Sequence, residues 1–388
     1  VDKNFVGLDK SDASRYYQAC IDASKAIIAS NRFGLYKAHP GSVQEAIANY
    51  RALFTDPNVA GEEAIFIKGY GAPGTRIAHD YDAWKNQNAE GFPHRGRTNP
   101  ILELIDLYED YTNPGHAAPI ITTEDGKVSD NEGYRPYVAY RHFDSPEEIF
   151  KHKDARFFAC ITYPNSVWKG KKIVIQGGVI KPNGDLMSSP GACEHNGKTY
   201  YTFGAQFSKD YSGFDGTPNC TRTGFLMRKF LNENLTVTKE LQSTTDFMDF
   251  RYAEILLNFA EAVVEKGETD GNLLDMAKKG LNDLRKRAAH TTEVDLTLDN
   301  VLRERRIELA FENKGYWDLI RRRDFHSEFD NRRKMALVPM IDLRGEKPQY
   351  IFVRKFVPGA NSCTFQTHHY YRHIPGTSTN GLTQNPKH

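Results

Sequence analysis

The stretch at residues 301–323 constrains the fold of this chain most, because its apolar and charged residues recur with a helical period. Wound at about 100° per residue, it carries apolar residues on one broad arc and most of its acids on the other. Arg303 and Arg306 project from inside the apolar arc, where an unpaired cation is costly. We therefore predict a long helix packed on its apolar arc, with both arginines paired to a carboxylate or carbonyl. The apolar arc comprises Leu302, Ile307, Leu309, Ala310 and Phe311, and the opposite face Val301, Glu304, Arg305, Glu308 and Glu312.

The same stretch predicts an interruption. Residues 313–315 read Asn-Lys-Gly, and Asn and Gly tolerate positive φ, so the helix can end or kink there. The apolar pattern then resumes with Tyr316, Trp317 and Leu319. We predict that Trp317 lies in the core.

Other helices follow from apolar residues at spacings of three and four. One is expected from a cap at Ser11 or Asp12 to about residue 30, and a second from a cap at Ser42. Residues 251–262 predict a third, which Gly267 ends, and residues 274–288 predict its antiparallel partner. The opening helix and this pair should form a bundle.

Residues 63–67 and 158–163 have the apolar composition of strands, and residues 100–108 that of a short helix. The glycine-rich loop at residues 69–75 follows a strand, as phosphate-binding loops do. No Lys follows its last Gly, and Pro73 removes an amide donor, so we reject phosphate binding. Residues 164–245 are rich in Gly, Pro and Asn, which predicts an irregular lobe.

Several function classes are excluded. The longest apolar runs are far shorter than the roughly 18 residues of a membrane-spanning helix. The formal net charge is +1 and no basic stripe is visible, so we predict no nucleic-acid partner. Five cysteines without C-x-x-C spacing signal neither zinc nor redox chemistry. We expect free thiols, with a bridge between Cys193 and Cys220 as the alternative.

No known catalytic or cofactor motif is present, so we predict a protein that is not an enzyme and has no cofactor or metal. Paired acids such as Asp80 and Asp82 could serve a glycosidase, but such pairs arise easily among 50 acids. We interpret His368, His369 and His373 as surface residues of the C-terminal segment.

Two stretches resemble the SusD/RagB family of outer-membrane nutrient-binding lipoproteins. Residues 251–262 nearly reproduce one family motif, and residues 301–319 resemble the family's signature helix, which marks the fold and does not touch ligand. Asn313 stands where the family usually has Gly, and Gly315 where it often has Arg. The residues matching the signature are Val301, Glu304, Arg305, Glu308, Leu309, Glu312, Trp317, Asp318 and Leu319.

The resemblance implies an α+β fold that is mainly α, in which a tetratricopeptide-like helical lobe is capped by an irregular, loop-rich lobe. It implies one domain over residues 1–388 that lacks its N-terminal part. Helical hairpins are expected at 1–60, a strand and loop-rich lobe with the ligand site at 61–245, a helical core at 246–325, and a C-terminal segment at 326–388.

The resemblance also implies a function. Such a protein is exposed on the outer membrane, captures an oligosaccharide or polysaccharide, and delivers it to a TonB-dependent transporter of the SusC type. The membrane is expected to be a partner only through an N-terminal lipid anchor absent from this chain. A peptide-binding member of the family is one alternative, and a cytosolic helical-repeat scaffold is another.

The candidate ligand-binding residues suit a sugar, which offers an apolar face for stacking and hydroxyl groups for hydrogen bonds. One polar, aromatic and loop-like segment supplies two rings and three short polar side chains, and a second segment supplies another ring. The candidates are Tyr81 and Trp84 with Asp80, Asp82 and Asn86, and Trp168 as the second stacking platform.

Overall fold

The computed structural model describes residues 9–82, 96, 98–128, 133–204, 214, 220–235 and 239–385. Helices and strands are mixed along these residues, which confirms the predicted α+β class. The α-helices are α1 (Ala13–Ala29), α2 (Val43–Thr55), α3 (Leu102–Leu107), α4 (Ala155–Cys160), α5 (Tyr252–Lys266), α6 (Gly271–Arg287), α7 (Leu298–Glu308), α8 (Gly315–Arg322), α9 (Phe325–Phe329) and α10 (Thr377–Asn380). The strands are β1 (Ala64–Lys68), β2 (Ile161–Thr162), β3 (Val167–Trp168), β4 (Lys171–Lys172), β5 (Val179–Ile180), β6 (Leu186–Met187), β7 (Ala192–His195), β8 (Lys198–Tyr201), β9 (Leu226–Met227), β10 (Phe247–Arg251), β11 (Met335–Asp342) and β12 (Gln349–Phe356).

Helices α1, α5, α6 and α7 share one apolar cluster. Ile21 of α1 is buried with Leu257 of α5, Leu281 of α6 and Val301 of α7. Gly267 follows α5 in the left-handed conformation at φ 68°, which a residue without Cβ adopts readily. The predicted bundle of the opening helix with the later antiparallel pair is confirmed.

The largest sheet of the described residues has the strand order β12-β11-β5-β6. β11 and β12 form an antiparallel hairpin whose pairing runs from Met335 opposite Phe356 to Asp342 opposite Gln349. Every residue of β11 is buried. Because both faces of this strand are covered, its sequence lacks the alternation that reveals a half-exposed strand. The sequence pattern therefore does not predict this hairpin.

Smaller pairings complete the β structure: β1 with β10, β2 with β9, β3 with β4, and β7 with β8. The strand predicted at residues 158–163 is confined to β2, and residues 158–160 belong to α4. The carboxylate of Asp154 accepts a hydrogen bond from the backbone N–H of Arg156 at 2.7 Å and so caps α4. This cap outweighs the strand preference of the aromatic residues that follow.

The stretch at residues 301–323 is interrupted as predicted, because α7 ends at Glu308 and α8 begins at Gly315. Arg303 pairs with Glu109 at 3.3 Å and Arg306 with Glu328 at 2.9 Å, which confirms that both arginines have acidic partners. The prediction that only the apolar arc packs was wrong, however, because Ile307 and Leu309 of that arc are buried and the whole opposite face is buried as well. Glu308 on the acidic face is fully buried, whereas Leu302 on the apolar arc is only half-buried.

The assignment of Trp317 to the core was also wrong, since this residue is 52% exposed. α8 instead turns Asp318 and Leu319 inward. The carboxylate of Asp318 accepts a hydrogen bond from Nε of Arg305 at 2.7 Å. This ion pair fixes the rotation of α8 and leaves its neighbour Trp317 outside.

The acidic face of α7 is buried because cations from distant segments meet it. We call these residues the buried ion network: Glu63, Arg156, Lys229, Arg251, Arg287, Glu308 and Glu312. Glu308 lies at its centre and pairs with Arg156 at 3.0 Å, with Arg251 at 2.8 Å, and with Arg287. Glu312 pairs with Arg251 at 2.7 Å and with Lys229 at 2.6 Å.

Glu63 is the third carboxylate of this network. Glu63 bridges Arg251 and Arg287, at 2.6 Å from each guanidinium. Burial alone would raise the pKa of Glu308, but Arg287, Arg251 and Arg156 hold it well below its usual value. Burial likewise opposes ionisation of Glu312, and Arg251 and Lys229 lower its pKa. The carboxylates therefore stay ionised inside the protein.

Cys20, Cys160, Cys193 and Cys363 are free thiols, so the alternative bridge from Cys193 does not form. Across the part of the chain that is described, no helix combines the length and the apolar character needed to cross a membrane.

We expect Glu308→Gln to lower the unfolding free energy by about 3–5 kcal/mol, because it leaves buried guanidinium groups without their shared carboxylate. Urea denaturation at neutral pH measures the change. The matched control is Glu293→Gln, which removes an exposed carboxylate from Lys286. Water screens that pair, so the control should unfold almost as the parent does. Equal midpoints for the two variants would contradict a central role for Glu308.

Because the pKa values of Glu308 and Glu312 are lowered in the folded state, the free energy of unfolding should depend on pH. A carboxylate with a lowered folded-state pKa stabilises the protein above its unfolded pKa of about 4.3, and this contribution is lost as pH falls below that value. We therefore expect urea midpoints to fall on acidification from about pH 5 to about pH 3. Glu308→Gln should show a shallower fall. If the urea midpoints of the parent and the variant fall in parallel with pH, Glu308 does not cause this dependence.

Candidate cleft beside helix α2

Two adjoining hollows lie along the C-terminal end of α2, and we call them together the α2 cleft. One has an empty volume of about 430 Å³ and is bounded by α2 and residues 228–234. The other, of about 560 Å³, lies between residues 53–57 and residues 244–248. Phe54, Thr55 and Asn232 line both hollows. The cleft thus joins the predicted helical hairpins to the predicted loop-rich lobe.

The chemistry of the cleft is mixed. The rings of Phe54 and Phe230 meet edge to face, with centroids 5.1 Å apart, and form the buried base of the cleft, at 4% and 3% exposure. Around them stand Glu233 and Asn234 on one side and Asp246 on the other. Amide and carboxylate groups near aromatic rings can bind a ligand that has hydroxyl groups and an apolar face.

Phe230 holds an unusual backbone conformation, with φ 67°. A bulky residue in the left-handed region is strained by about 1–3 kcal/mol and needs its surroundings to hold it. Three rings do so: Phe54 at 5.1 Å, Tyr81 at 6.0 Å and Phe247 at 5.5 Å between centroids. These ring contacts hold the backbone at the base of the cleft in one conformation.

Two arginines give the cleft fixed donors. Arg228 donates from Nη1 to the carbonyl of Val167 at 2.9 Å and forms an ion pair with Glu233. Arg51 donates to the carbonyl of Phe158 at 2.8 Å. Burial, assisted by the charge of Arg228, lowers the pKa of Arg51 to about 10, so its guanidinium still carries a charge at neutral pH.

The predicted segment at residues 80–82 supports the cleft from behind. Asp82 is 2% exposed, and its Oδ1 accepts a hydrogen bond from the backbone N–H of Asn232 at 2.9 Å. Burial raises the pKa of Asp82. Oδ1 of Asp80 accepts from the backbone N–H of Leu241 at 2.5 Å. Both aspartates therefore hold loops and do not line the cleft.

The two described aromatic candidates come together in one small apolar cluster. Trp168 packs there with Leu231, and half-buried Tyr81 packs against the cluster. Trp168 is 1% exposed, and the guanidinium of Arg228 lies 5.4 Å from its ring centroid. Trp168 thus has no open face for stacking in this structure. Trp84 and Asn86 lie outside the described residues.

None of the residues that line the cleft was among the ligand contacts predicted from the sequence. Arg51 lies on the helix predicted to begin after Ser42, and Arg228 lies within residues 164–245, which were predicted to be irregular. Residues 232–234 read Asn-Glu-Asn directly after an apolar run, and this polar run was the available signal. Among the described residues, no group of three or more His, Cys, Asp or Glu could hold a metal ion.

Asp82 and Asp80 hold different loops, so substituting each one should affect a different segment. We expect Asp82→Ala to speed amide exchange of the peptide covering residues 228–235 by about tenfold, because the N–H of Asn232 loses its acceptor. Hydrogen exchange with mass spectrometry measures this. Asp80→Ala is the control and should speed exchange near Leu241 instead. If Asp82→Ala leaves residues 228–235 unchanged, Asp82 does not hold this loop.

Known proteins share the sequence pattern and the fold of this chain. The model of the SusD family matches residues 63–388. A SusD-like protein from Bacteroides fragilis NCTC 9343 has 18% identity and a TM-score of 0.62, with 97% of this chain and 63% of that chain covered. A SusD-like carbohydrate binding protein from the same organism has 21% identity and a TM-score of 0.58, with coverages of 89% and 58%.

A third structure is surface glycan-binding protein A from Bacteroides fluxus, with 19% identity, a TM-score of 0.53, and coverages of 98% and 60%. The chain therefore spans about 58–63% of the length of these three proteins. No curated protein matches the sequence. The structural similarities show a common fold, and because the family model covers most of the sequence, the chain belongs to the SusD family.

Proposed function

We propose that this protein binds glycans at the cell surface and that the α2 cleft holds the sugar. The observation that carries the proposal is the placement of Arg51, Glu233 and Asn234 around the paired rings of Phe54 and Phe230. Family membership supports it, and two proteins of similar fold are described as carbohydrate binding or glycan-binding.

The geometry favours a sugar because the polar groups of the cleft are already held in position. The Arg228 side chain is held by Val167 and Glu233, and the Asn232 side chain accepts a hydrogen bond from the backbone N–H of Asn234 at 2.9 Å, so little side-chain freedom is lost when a ligand binds. Sugar hydroxyl groups can accept from guanidinium and amide groups and donate to carboxylates. The cleft is small and open to solvent, so we expect modest affinity for a single site.

The six sequence candidates then take different roles. Tyr81 and Asp82 support the cleft, Asp80 fixes the adjoining loop, and Trp168 lies beneath Arg228. Trp84 and Asn86 remain predicted ligand contacts. We place the ligand site in the loop-rich lobe of the domain, at its junction with the helical hairpins.

We further propose that the protein delivers its ligand to a TonB-dependent outer-membrane transporter of the SusC type. A lipid at the N-terminus of the full-length protein would hold it at the cell surface. Tethering beside the transporter raises the effective ligand concentration, so a modest affinity suffices. We assign binding without catalysis, since the Glu233 carboxylate is already engaged by Arg228. Peptide binding is the alternative.

Titration calorimetry tests the sugar site. We expect a soluble gluco-, xylo- or manno-oligosaccharide to bind, and we expect Glu233→Gln and Asn234→Ala each to weaken binding about tenfold, the effect of about 1.4 kcal/mol of lost hydrogen bonding. Asn183→Ala is the matched control, because Asn183 is an exposed amide in a turn and does not line the cleft. The control should bind as the parent does.

Other variants divide the remaining possibilities. Trp84→Ala should also weaken binding if the predicted aromatic contact exists. Binding of peptides alone would overturn the glycan proposal. Glycan binding that is indifferent to Glu233, Asn234 and Trp84 would place the site elsewhere.

A further inference from the structure

A second and larger groove lies on a different part of the surface and shares no lining residue with the α2 cleft. We call it the basic groove. Its empty volume is about 1480 Å³, and it is bounded by α3, α7, α9 and the outer ends of β11 and β12. Its charged side chains are Glu103, Arg306, Glu328, Arg332, Arg333, Lys334 and Arg354.

The charges of the basic groove do not balance. Arg306 pairs with Glu328 at 2.9 Å, and Arg354 pairs with Asp106 at 2.7 Å. The carboxylate of Glu103 accepts the backbone N–H of Met335, at 3.0 and 3.2 Å from its two oxygens. The lining acids are therefore engaged.

Three cations remain in excess: Arg332, Arg333 and Lys334. They are consecutive and exposed, and within the described ranges no acidic side chain forms an ion pair with them. The chain as a whole carries a formal net charge of only +1. An anion would therefore be attracted by this local concentration of charge and not by a general positive field.

The side chain of Arg333 is held in a conformation that can bind an anion. Its guanidinium stacks on the ring of Phe356, with Cζ 4.1 Å from the ring centroid. Stacking orders the long side chain and leaves the N–H groups at the edge of the guanidinium plane available. These N–H groups match a carboxylate or sulfate in a bidentate arrangement.

The same groove has apolar walls. Leu107, Phe329, Met335 and Phe356 all line it. An acidic sugar has both features that this lining would bind, namely a ring with an apolar face and a carboxylate or sulfate group at its edge. A simple inorganic anion would leave the apolar walls uncovered.

We propose that the basic groove binds acidic oligosaccharides, in which uronate or sulfate groups recur along the chain. The proposal rests on the proposed glycan-binding function for the class of ligand, and it adds a second binding surface with its own charge preference. Arg332, Arg333 and Lys334 contact the anionic groups, and Phe356 holds Arg333 in place.

The test compares oligogalacturonate with a neutral oligosaccharide that binds the parent protein. The groove variant combines Arg332→Gln, Arg333→Gln and Lys334→Gln. The control combines Arg15→Gln, Lys25→Gln and Arg32→Gln, which removes the same charge from exposed positions on and after α1. Titration is performed at about 50 mM and about 300 mM NaCl, because screening weakens ionic contacts.

We expect the parent and the control to bind oligogalacturonate, more weakly at the higher salt concentration. The groove variant should bind it at least about tenfold more weakly at low salt. All three proteins should bind the neutral oligosaccharide equally, which also shows that the groove variant is folded. Arg333→Lys keeps the charge but loses the planar fork, so it should weaken oligogalacturonate binding several-fold.

Each contrary outcome has a distinct meaning. Equal oligogalacturonate binding by the groove variant and the control would overturn the inference. It would also be overturned if phosphatidylglycerol vesicles, and not oligogalacturonate, required the three cations, since the groove would then recognise lipid phosphate. Neutral sugar binding without acidic sugar binding would remove this inference alone. Failure of every sugar to bind would remove the proposed function itself.

Discussion

The carboxylate of Glu308 is the point on which the rest of this structure depends. The cations around it come from three separate parts of the chain: Arg156 from α4, Arg251 from the end of β10, and Arg287 from the end of α6. A buried charge that lacks its partners is strongly unfavourable, so these segments must assemble together. The network therefore selects one arrangement of helices and strands. It also explains why the most polar face of α7 turns inward.

The same network fixes the α2 cleft. Lys229 binds Glu312 at 2.6 Å and the carbonyl of Ala310 at 3.0 Å, and its neighbours Arg228 and Phe230 line the cleft. The segment at residues 228–234 is thus attached to the core through Lys229. From the other side, Asp82 holds Asn232. A strained residue such as Phe230 can persist because both ends of this short segment are anchored.

The α2 cleft and the basic groove use charge in opposite ways. In the cleft, the charge of Arg228 is balanced by Glu233, so the polar groups there offer directional hydrogen bonds without an excess of charge. In the groove, three adjacent cations exceed the acids, so attraction depends on charge itself. The two proposed binding surfaces lie on different elements of the fold and share no lining residue.

Much of the helical structure could be predicted from the sequence because its signals are local. The cap at Ser42, the spacing of apolar residues in α1, α5 and α6, and the stop at Gly267 all act within a few residues. The break before α8 is local as well. The β11–β12 hairpin has no such signal, since burial on both faces removes the alternation.

The candidate site was predicted less well, for a related reason. Sequence identified useful residue types in Tyr81, Asp82 and Trp168, but burial decided what each could do, and burial depends on contacts with Asn232, Arg228 and Leu231 far along the chain. Periodicity likewise could not show which face of α7 would be buried. By itself the sequence determined the family, the main helices and their ends. Only the tertiary structure decided which charges were buried, because paired charges at Glu308 come from segments that no local pattern connects.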